Sequence, residues 1–230
     1  MLTSPFSLAH LQLLDSALPI GAFSHSFGLE TLVQEGRVRT AAQLHEYSCA
    51  MMFGSWASCD AMAIKAVYDW GRQDKWDDVW LLDSMLHAAR ASRESRDGWR
   101  KMGRRLMKLG SAMHPGLPWQ GLNEAVESGR CIGVHPTIYG WLCLHLNVPL
   151  TQAVEGYLYG CCVATINNAV RLMPLGQTAA QTLVAQLLPS IAQAWDEVST
   201  RDPFDFSTSN VHSEIGAMRH ETLYSRLFMS

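Results

Sequence analysis

Apolar residues recur every three or four positions along nearly the whole chain, which is the spacing of one face of an α-helix. Alternating β-branched runs between turns, which would indicate strands, are missing from the sequence. We therefore predict an all-α fold, a single-domain bundle of about eight to ten helices. The predicted helices cover residues 24–35, 40–56, 60–71, 74–91, 92–113, 123–128, 136–146, 151–173 and 177–198.

Capping signals set several of these boundaries. Thr40 followed three residues later by Gln43 is typical of a capping box, in which the two residues satisfy backbone groups at a helix start. Pro174 should end the helix over 151–173, because proline lacks the N–H that a helix interior needs. The other predicted N-caps are Asp60, Asp74 and Ser92.

The helix over 92–113 has two contrasting faces. Its apolar stripe consists of Trp99, Met102, Leu106, Leu109 and Met113. Between positions 93 and 108 there are also seven basic residues and only two acidic ones. A solvated face opposite the stripe explains this pattern most simply, and the functional alternative is a landing surface for an acidic protein or for RNA.

The C-terminal region differs from the rest. We predict an all-α domain over 1–199, a linker over 200–212 and a partner-binding segment over 213–230, with weak helical amphipathicity as far as position 228. The segment mixes arginine, tyrosine and apolar residues, a composition enriched at interfaces. The alternative is a helix that docks back on its own domain. The candidate interface residues are Arg219, His220, Glu221, Tyr224, Arg226 and Phe228.

Small residues mark the helix over 151–173. Gly156, Gly160 and Ala164 are spaced by four, and glycines on one helix face usually mean that another backbone comes close, within the chain or across a dimer. Arg171 near the end of that helix complements the helix dipole or is presented to a partner. Glu30 belongs to a solvated helix face or pairs with a neighbouring arginine.

Composition narrows the classes of function. Lysine and arginine total 18 against 21 acidic residues, and this formal charge of −3 argues against a nucleic-acid binder. Charged residues make up only 17% of the chain, against about 25% in typical proteins, which favours exposed apolar surface and a protein partner. The sequence has no apolar run of ~20 residues, the length that a membrane span requires, so we predict no span. The six cysteines are expected to be free thiols of a cytoplasmic protein.

Motifs for chemistry are weak or missing in the sequence. There is no G-x-x-x-x-G-K-[ST] phosphate loop and no G-x-S-x-G nucleophile motif, so we predict neither nucleotide hydrolysis nor a catalytic residue in this chain. The nearest approach to metal-ligand spacing is Cys131 with His135, or His212 with His220, and neither resembles a paired structural site. We expect no intrinsic metal or cofactor.

In four blocks the chain resembles the urease accessory protein F family (UreF). The blocks are LQLLDSALPIGAFSHSFGLE (11–30), SRE (92–94) with MGRRL (102–106), NNAVRLMPLGQ (167–177) and MRHETLYSRLF (218–228). The first and last are the most specific, and all lie in family order. The regions over 68–82 and 113–131 are generic.

The resemblance implies an all-α homodimer with a non-enzymatic role in the maturation of nickel urease. Proteins of this family form a complex with the accessory protein UreD (UreH in some organisms) and the GTPase UreG. The complex delivers nickel into apo-urease, and the F subunit bridges its two partners and has been proposed to regulate GTP hydrolysis. Nickel and GTP are thus handled by the partner proteins.

The resemblance also assigns residues to surfaces. Glu30 and Arg171 would face the GTPase, the helix with Gly156, Gly160 and Ala164 would form the dimer, and residues 219–228 would bind UreD. Two other classes of function remain open. One is a small all-α enzyme whose pocket is lined by aromatic and cysteine side chains. The other is RNA binding by residues 93–108, which the net charge disfavours.

Overall fold

A computed structural model describes residues 7–230, and within that range it contains helices and turns but no strand. Three 3₁₀ turns, Ala22–Ser24, Gly71–Gln73 and Pro203–Asp205, lie between the α-helices. The α-helices are α1 (Leu8–Leu14), α2 (Leu29–Gln34), α3 (Ala41–Met51), α4 (Ala61–Asp69), α5 (Trp76–Ala89), α6 (Arg93–Met113), α7 (Trp119–Glu127), α8 (His135–His145), α9 (Leu150–Leu172), α10 (Gln177–Val198) and α11 (Val211–His220).

A π-helical stretch, Met52–Asp60, joins α3 to α4 in one continuous helical rod. The described residues therefore form ten separate helices, and the prediction of an all-α bundle is confirmed. No helix in this part of the chain has the length and apolarity needed to cross a membrane.

Helix α4 is the centre of the core. It packs against α5, α8 and α9, and seven of its nine residues are buried. A helix that is apolar nearly all round must be covered on several sides, which is why the other helices surround it. The largest cluster of buried apolar side chains extends from here into α9 and α10.

The two-faced helix over 92–113 is confirmed. Trp99, Met102 and Leu106 are buried, and Ser92 caps α6 by accepting a hydrogen bond from the backbone N–H of Ser95. Thr40 likewise caps α3 through the N–H of Gln43. The predicted boundaries of α10 agree with the structure.

Other predicted boundaries are wrong. Helix α2 begins at Leu29 instead of residue 24, because Phe27 and Gly28 have φ angles of 49° and 94°, which a helix cannot contain. Asp74 does not cap α5, since its own φ is 59° and it lies in a left-handed turn. Asp60 is not a cap either, because it lies inside the continuous rod.

The chain ends also differ from expectation. Sequence reasoning assigned no helix to Leu8–Leu14, although Ser7 caps it, and it began α7 at residue 123 instead of Trp119. The last helix stops at His220, so the helical pattern predicted as far as 228 is wrong beyond that point. The segment over 200–212 runs along the π-helical stretch, where Ser207 and Ser209 donate backbone hydrogen bonds. The predicted divisions at 199 and 212 stay predictions.

Candidate functional site

The last five residues, 226–230, lie against the turn that precedes α2, and we call them the docked segment. The carbonyl oxygen of Ser230 accepts hydrogen bonds from the backbone N–H and the hydroxyl of Ser26, at 2.6 and 2.8 Å. The N–H of Met229 donates to the carbonyl of Ser24 at 2.8 Å. The docked segment is therefore held by its backbone as well as by its side chains.

The carboxylate of Glu30 is the main acceptor for the docked segment. Glu30 lies in the first turn of α2, where a negative charge is favourable, and is only 1% exposed. Its two oxygens accept the backbone N–H groups of Leu227, at 2.7 Å, and Phe228, at 3.1 Å. These amides replace water as the partners of a buried charge, which satisfies it.

A buried histidine joins this carboxylate to a second one. Nε2 of His220 lies 2.9 Å from Glu30, and Nδ1 lies 2.7 Å from Glu94. Each ring nitrogen of His220 thus lies within hydrogen-bond distance of a different acidic side chain. Arg226 donates to the other oxygen of Glu94 at 2.8 Å. A continuous chain of polar contacts thus connects α2, α6, α11 and the docked segment.

Arg171, at the end of α9, belongs to the same site. Its guanidinium lies 4.6 Å from the centre of the Phe228 ring, and it donates to the carbonyl of Phe23 at 3.1 Å. Sequence reasoning assigned Arg171 and Glu30 to one partner and Phe228 to another. The structure places all three side by side, with Arg171 exposed and Glu30 covered.

Glycine allows α11 to cross α2 closely enough for these contacts. Gly28 precedes α2 with φ of 94°, and a Cβ there would lie 2.5 Å from the carbonyl oxygen of Ser213. On the facing helix, a Cβ at Gly216 would lie 3.1 Å from the carbonyl oxygen of Gly28. This crossing brings the end of α11, and with it His220, over Glu30.

The remaining predicted interface residues point outward. Tyr224 is fully exposed, Glu221 is exposed, and Arg219 pairs with Glu35 across 3.0 Å at the surface. Three exposed apolar residues of α11, at i, i+4 and i+7, form a stripe beside them: Val211, Ile215 and Met218. Whether this surface binds a partner stays a prediction.

The three small residues of α9 have different surroundings. A Cβ at Gly156 would lie 2.8 Å from the ring of His10, so the close approach there is made by α1 of the same chain. A Cβ at Gly160 would meet nothing within 4 Å. Next to them, exposed apolar side chains of α1, α9 and α10 form what we call the α1–α9–α10 face: Leu11, Tyr159 and Leu188.

Gly160 and Ala164 line a cavity of about 170 Å³ beside α9. Its wall is mainly apolar, with contributions from Trp56, Trp99 and Met102. Several polar side chains also reach it: Asp60, Arg90, His135, Tyr139 and Tyr157. A concave, largely apolar site with a few polar groups is the usual form of a small-molecule pocket.

The polar wall of the cavity is built around a buried ion pair that sequence reasoning missed. Arg90 donates to Asp60 at 2.6 Å, and its guanidinium stacks on Trp99 at 3.8 Å. Tyr157 donates to the second oxygen of Asp60 at 3.1 Å. Burial raises the pKa of Asp60 to about 7, against the opposing effect of Arg90. The feature of the sequence that could have revealed this ion pair is a lone acidic residue, Asp60, within an apolar stretch.

These groups do not form an activated nucleophile. Burial raises the pKa of the Cys161 thiol, which lines the cavity, well above its ordinary value, so this thiol is protonated at neutral pH. Burial lowers the pKa of His135 to about 4, so its ring is neutral. Among residues 7–230 no cluster of three or more histidine, cysteine or acidic residues is placed to hold a metal ion.

The fold and the site define an all-α protein in which a buried polar cluster holds the C-terminal segment of the chain. A family model described as UreF matches residues 38–188. A urease accessory protein UreF of Lachnoclostridium phytofermentans is 38% identical, covering 96% of both chains. UreF proteins of Actinobacillus pleuropneumoniae and Paenarthrobacter aurescens are each 34% identical, covering 96% and 100% of this chain and 98% and 100% of their own. The chain belongs to the UreF family of urease accessory proteins, which supports a role in urease maturation.

Proposed function

We propose that this chain is a non-enzymatic scaffold of urease maturation in the cytoplasm. It bridges UreD (UreH) and the GTPase UreG so that nickel is inserted into apo-urease with GTP hydrolysis. The observation that carries the proposal is the convergence of α2, α6, α9, α11 and the docked segment on one site. There, groups assigned to two different partners lie in contact.

The surface for UreD is the exposed part of the C-terminal region. Met218, Arg219, Glu221 and Tyr224 present apolar, aromatic and charged groups to solvent. Aromatic and arginine side chains supply most of the binding energy in typical interfaces. Three other predicted residues hold this surface in position through their contacts with α2, α6 and α9: His220, Arg226 and Phe228.

The surface for the GTPase includes Arg171 and the turn over residues 21–25. Glu30 is buried, so its role is to position the docked segment instead of contacting the partner. The proposal includes an effect on GTP hydrolysis, which turnover by the GTPase with and without this chain would measure. Nickel and nucleotide remain the cargo and ligand of the partner proteins, and this chain has no cofactor of its own.

A homodimer is part of the proposal. The α1–α9–α10 face supports it, since three exposed apolar side chains on three adjacent helices would be buried by a second copy. Gly160 lies one residue beyond Tyr159 and has open space above it. Gly156 does not contribute directly, because its neighbour is already His10.

Co-expression with UreD and UreG, followed by capture in GTP and in GDP, tests the scaffold role. The double variant Met218→Asp, Tyr224→Asp should no longer capture UreD, because both side chains are exposed and belong to the proposed contact. Arg171→Ala should keep UreD and weaken capture of the GTPase. The chain should remain folded, since a cation at a helix end contributes only about 0.3–1 kcal/mol.

Leu81→Asp with Met85→Asp is the matched control. Both residues are exposed and apolar but lie on α5, outside the proposed contacts. The control should capture both partners normally. Normal capture of UreD by the Met218 and Tyr224 variant would overturn the assignment of that surface, and failure of the unmodified chain to capture either partner would overturn the scaffold role.

A further inference from the structure

Helix α6 carries an exposed arc of positive charge to which the proposed scaffold role assigns no contact. At 100° per residue, five exposed cations fall within about 120° of the helix circumference, opposite the buried stripe. They are Arg93, Lys101, Arg104, Arg105 and Lys108, and we call them the cationic arc.

None of these five cations is neutralised by a carboxylate. The two acidic residues of α6 are already engaged, Glu94 by His220 and Arg226, and Asp97 by Arg100. Within residues 7–230 no carboxylate oxygen lies within 4.0 Å of a nitrogen of the arc. In a chain whose net charge is −3, this is a strong local excess of the opposite sign.

The cationic arc is continuous with the surface around Arg171. A Cβ at Gly21 would lie 4.0 Å from a guanidinium nitrogen of Arg105. Lys101 lies near enough to His25 for its charge to lower the pKa of that ring, which burial lowers more, to about 4. Arg171 itself donates to the carbonyl of Phe23. The turn over residues 21–25 therefore connects α6 to the end of α9.

Exposed apolar side chains lie within this charged surface. Phe23 is 61% exposed, and Leu227 and Met229 of the docked segment are 52% and 59% exposed. A charged rim around an apolar centre is the usual arrangement of a protein interface. A nucleic acid would instead meet a net-negative chain, and its phosphates would gain nothing from the apolar centre.

We propose that the cationic arc of α6 docks a carboxylate-rich surface of the GTPase and extends the contact begun by Arg171. This inference rests on the proposed scaffold role. Charges at the rim of an interface act mainly on the association rate and on its salt dependence, because they steer the partner before contact. The arc should therefore accelerate association at low ionic strength.

The test measures association of the purified GTPase with the full chain bound to UreD, at about 50 and about 300 mM salt. Lys101→Glu, Arg105→Glu and Lys108→Glu together form the arc variant. Arg37→Glu, Lys75→Glu and Arg201→Glu form the control, because these residues are exposed and outside α6. Both variants change the net charge from −3 to −9, so only the position of the charge differs.

The arc variant should associate at least ~10-fold more slowly than the control at the lower salt concentration, and the difference should shrink at the higher one. Equal rates for the two variants would overturn this inference and leave the scaffold role intact. Loss of RNA binding without loss of GTPase binding in the arc variant would also overturn it. Absence of binding by the unmodified chain would overturn the scaffold role itself, together with this inference.

Discussion

Two buried carboxylates illustrate opposite ways of holding a negative charge in the interior. Glu30 accepts two backbone N–H groups and an imidazole, whereas Asp60 depends on Arg90 and a tyrosine hydroxyl. In these surroundings burial raises the pKa of Asp60 to about 7. The two residues should therefore respond differently to substitution.

Asp60 should make stability fall as the pH rises. In the unfolded chain this carboxyl loses its proton near pH 4, and in the folded chain near pH 7, so the folded state holds the extra proton between these values. The stabilisation of the folded state that this raised pKa provides is fully present below pH 4 and is lost as the pH rises through 7. The stability of the wild type relative to Asp60→Asn should decrease by up to about 1.4 kcal/mol per pH unit in that window.

Urea unfolding at pH 5, 6 and 7 measures this difference. Asp77→Asn, a substitution at an exposed carboxylate, is the control and should show no such trend. A constant difference between wild type and Asp60→Asn across the window would contradict the prediction.

Glu30→Gln should loosen the docked segment. The amide keeps one acceptor oxygen but turns an NH₂ group toward backbone donors, and an unsatisfied buried donor costs about 1–3 kcal/mol. We expect faster hydrogen exchange at the amides of Leu227 and Phe228, with α4 unchanged. Glu35→Gln is the control, since the carboxylate of Glu35 lies at the surface and pairs with Arg219. Unchanged protection of residues 227 and 228 would show that Glu30 does not hold them.

At the scale of the elements, contact between α6 and the start of α8 depends on a glycine. A Cβ at Gly103 would lie 2.1 Å from the carbonyl oxygen of Gly133. The backbone there cannot retreat freely, because Asp83 accepts the N–H groups of Ile132, Gly133 and Val134 at 2.7, 2.9 and 3.0 Å. The crossing is therefore rigid on both sides.

Gly103→Ala should destabilise the fold by about 3 kcal/mol, because overpacking against a fixed backbone forces the helices apart. Gly121→Ala in α7 provides the opposite case, since its Cβ would meet nothing within 4 Å. It should stabilise by about 0.5–1 kcal/mol through helix propensity. Thermal and urea unfolding of both variants measure this, and equal effects of the two would contradict the assignment of the crossing.

The elements differ in how far the sequence predicts them. Helices α6 and α10 follow from periodicity and local signals, which act within a few residues. The start of α2 does not, because the positive φ of Phe27 is imposed by packing of the turn against α11 and the docked segment. Asp60 looks like a cap in sequence, but its carboxylate is taken by Arg90, thirty residues away in the chain.

The same limit applies to the candidate site. Composition and resemblance single out Glu30, Arg171 and the C-terminal residues, but not their contact with each other. Glu30 and Phe228 are 198 residues apart, and their pairing depends on the glycine-mediated crossing of α2 and α11. No local pattern contains that information.

At the scale of the whole molecule, the α1–α9–α10 face predicts the oligomeric state. Tyr159→Asp with Leu188→Asp should convert a dimer to a monomer, because each places a charge where apolar contact is expected. Light scattering after size exclusion measures the mass, and circular dichroism should be unchanged. Leu81→Asp with Met85→Asp should stay dimeric. If the double variant at Tyr159 and Leu188 remains dimeric, the dimer interface lies elsewhere.

The six free cysteines allow the opening of the core to be timed. Four of them are buried, and burial raises the pKa of Cys143 and Cys162 to about 12. Since the thiolate is the reactive form, an alkylating reagent such as N-ethylmaleimide modifies these residues only during transient excursions from the folded state. Alkylation kinetics followed by mass spectrometry would therefore report the rate of local unfolding separately for α8 and α9, without any engineered label.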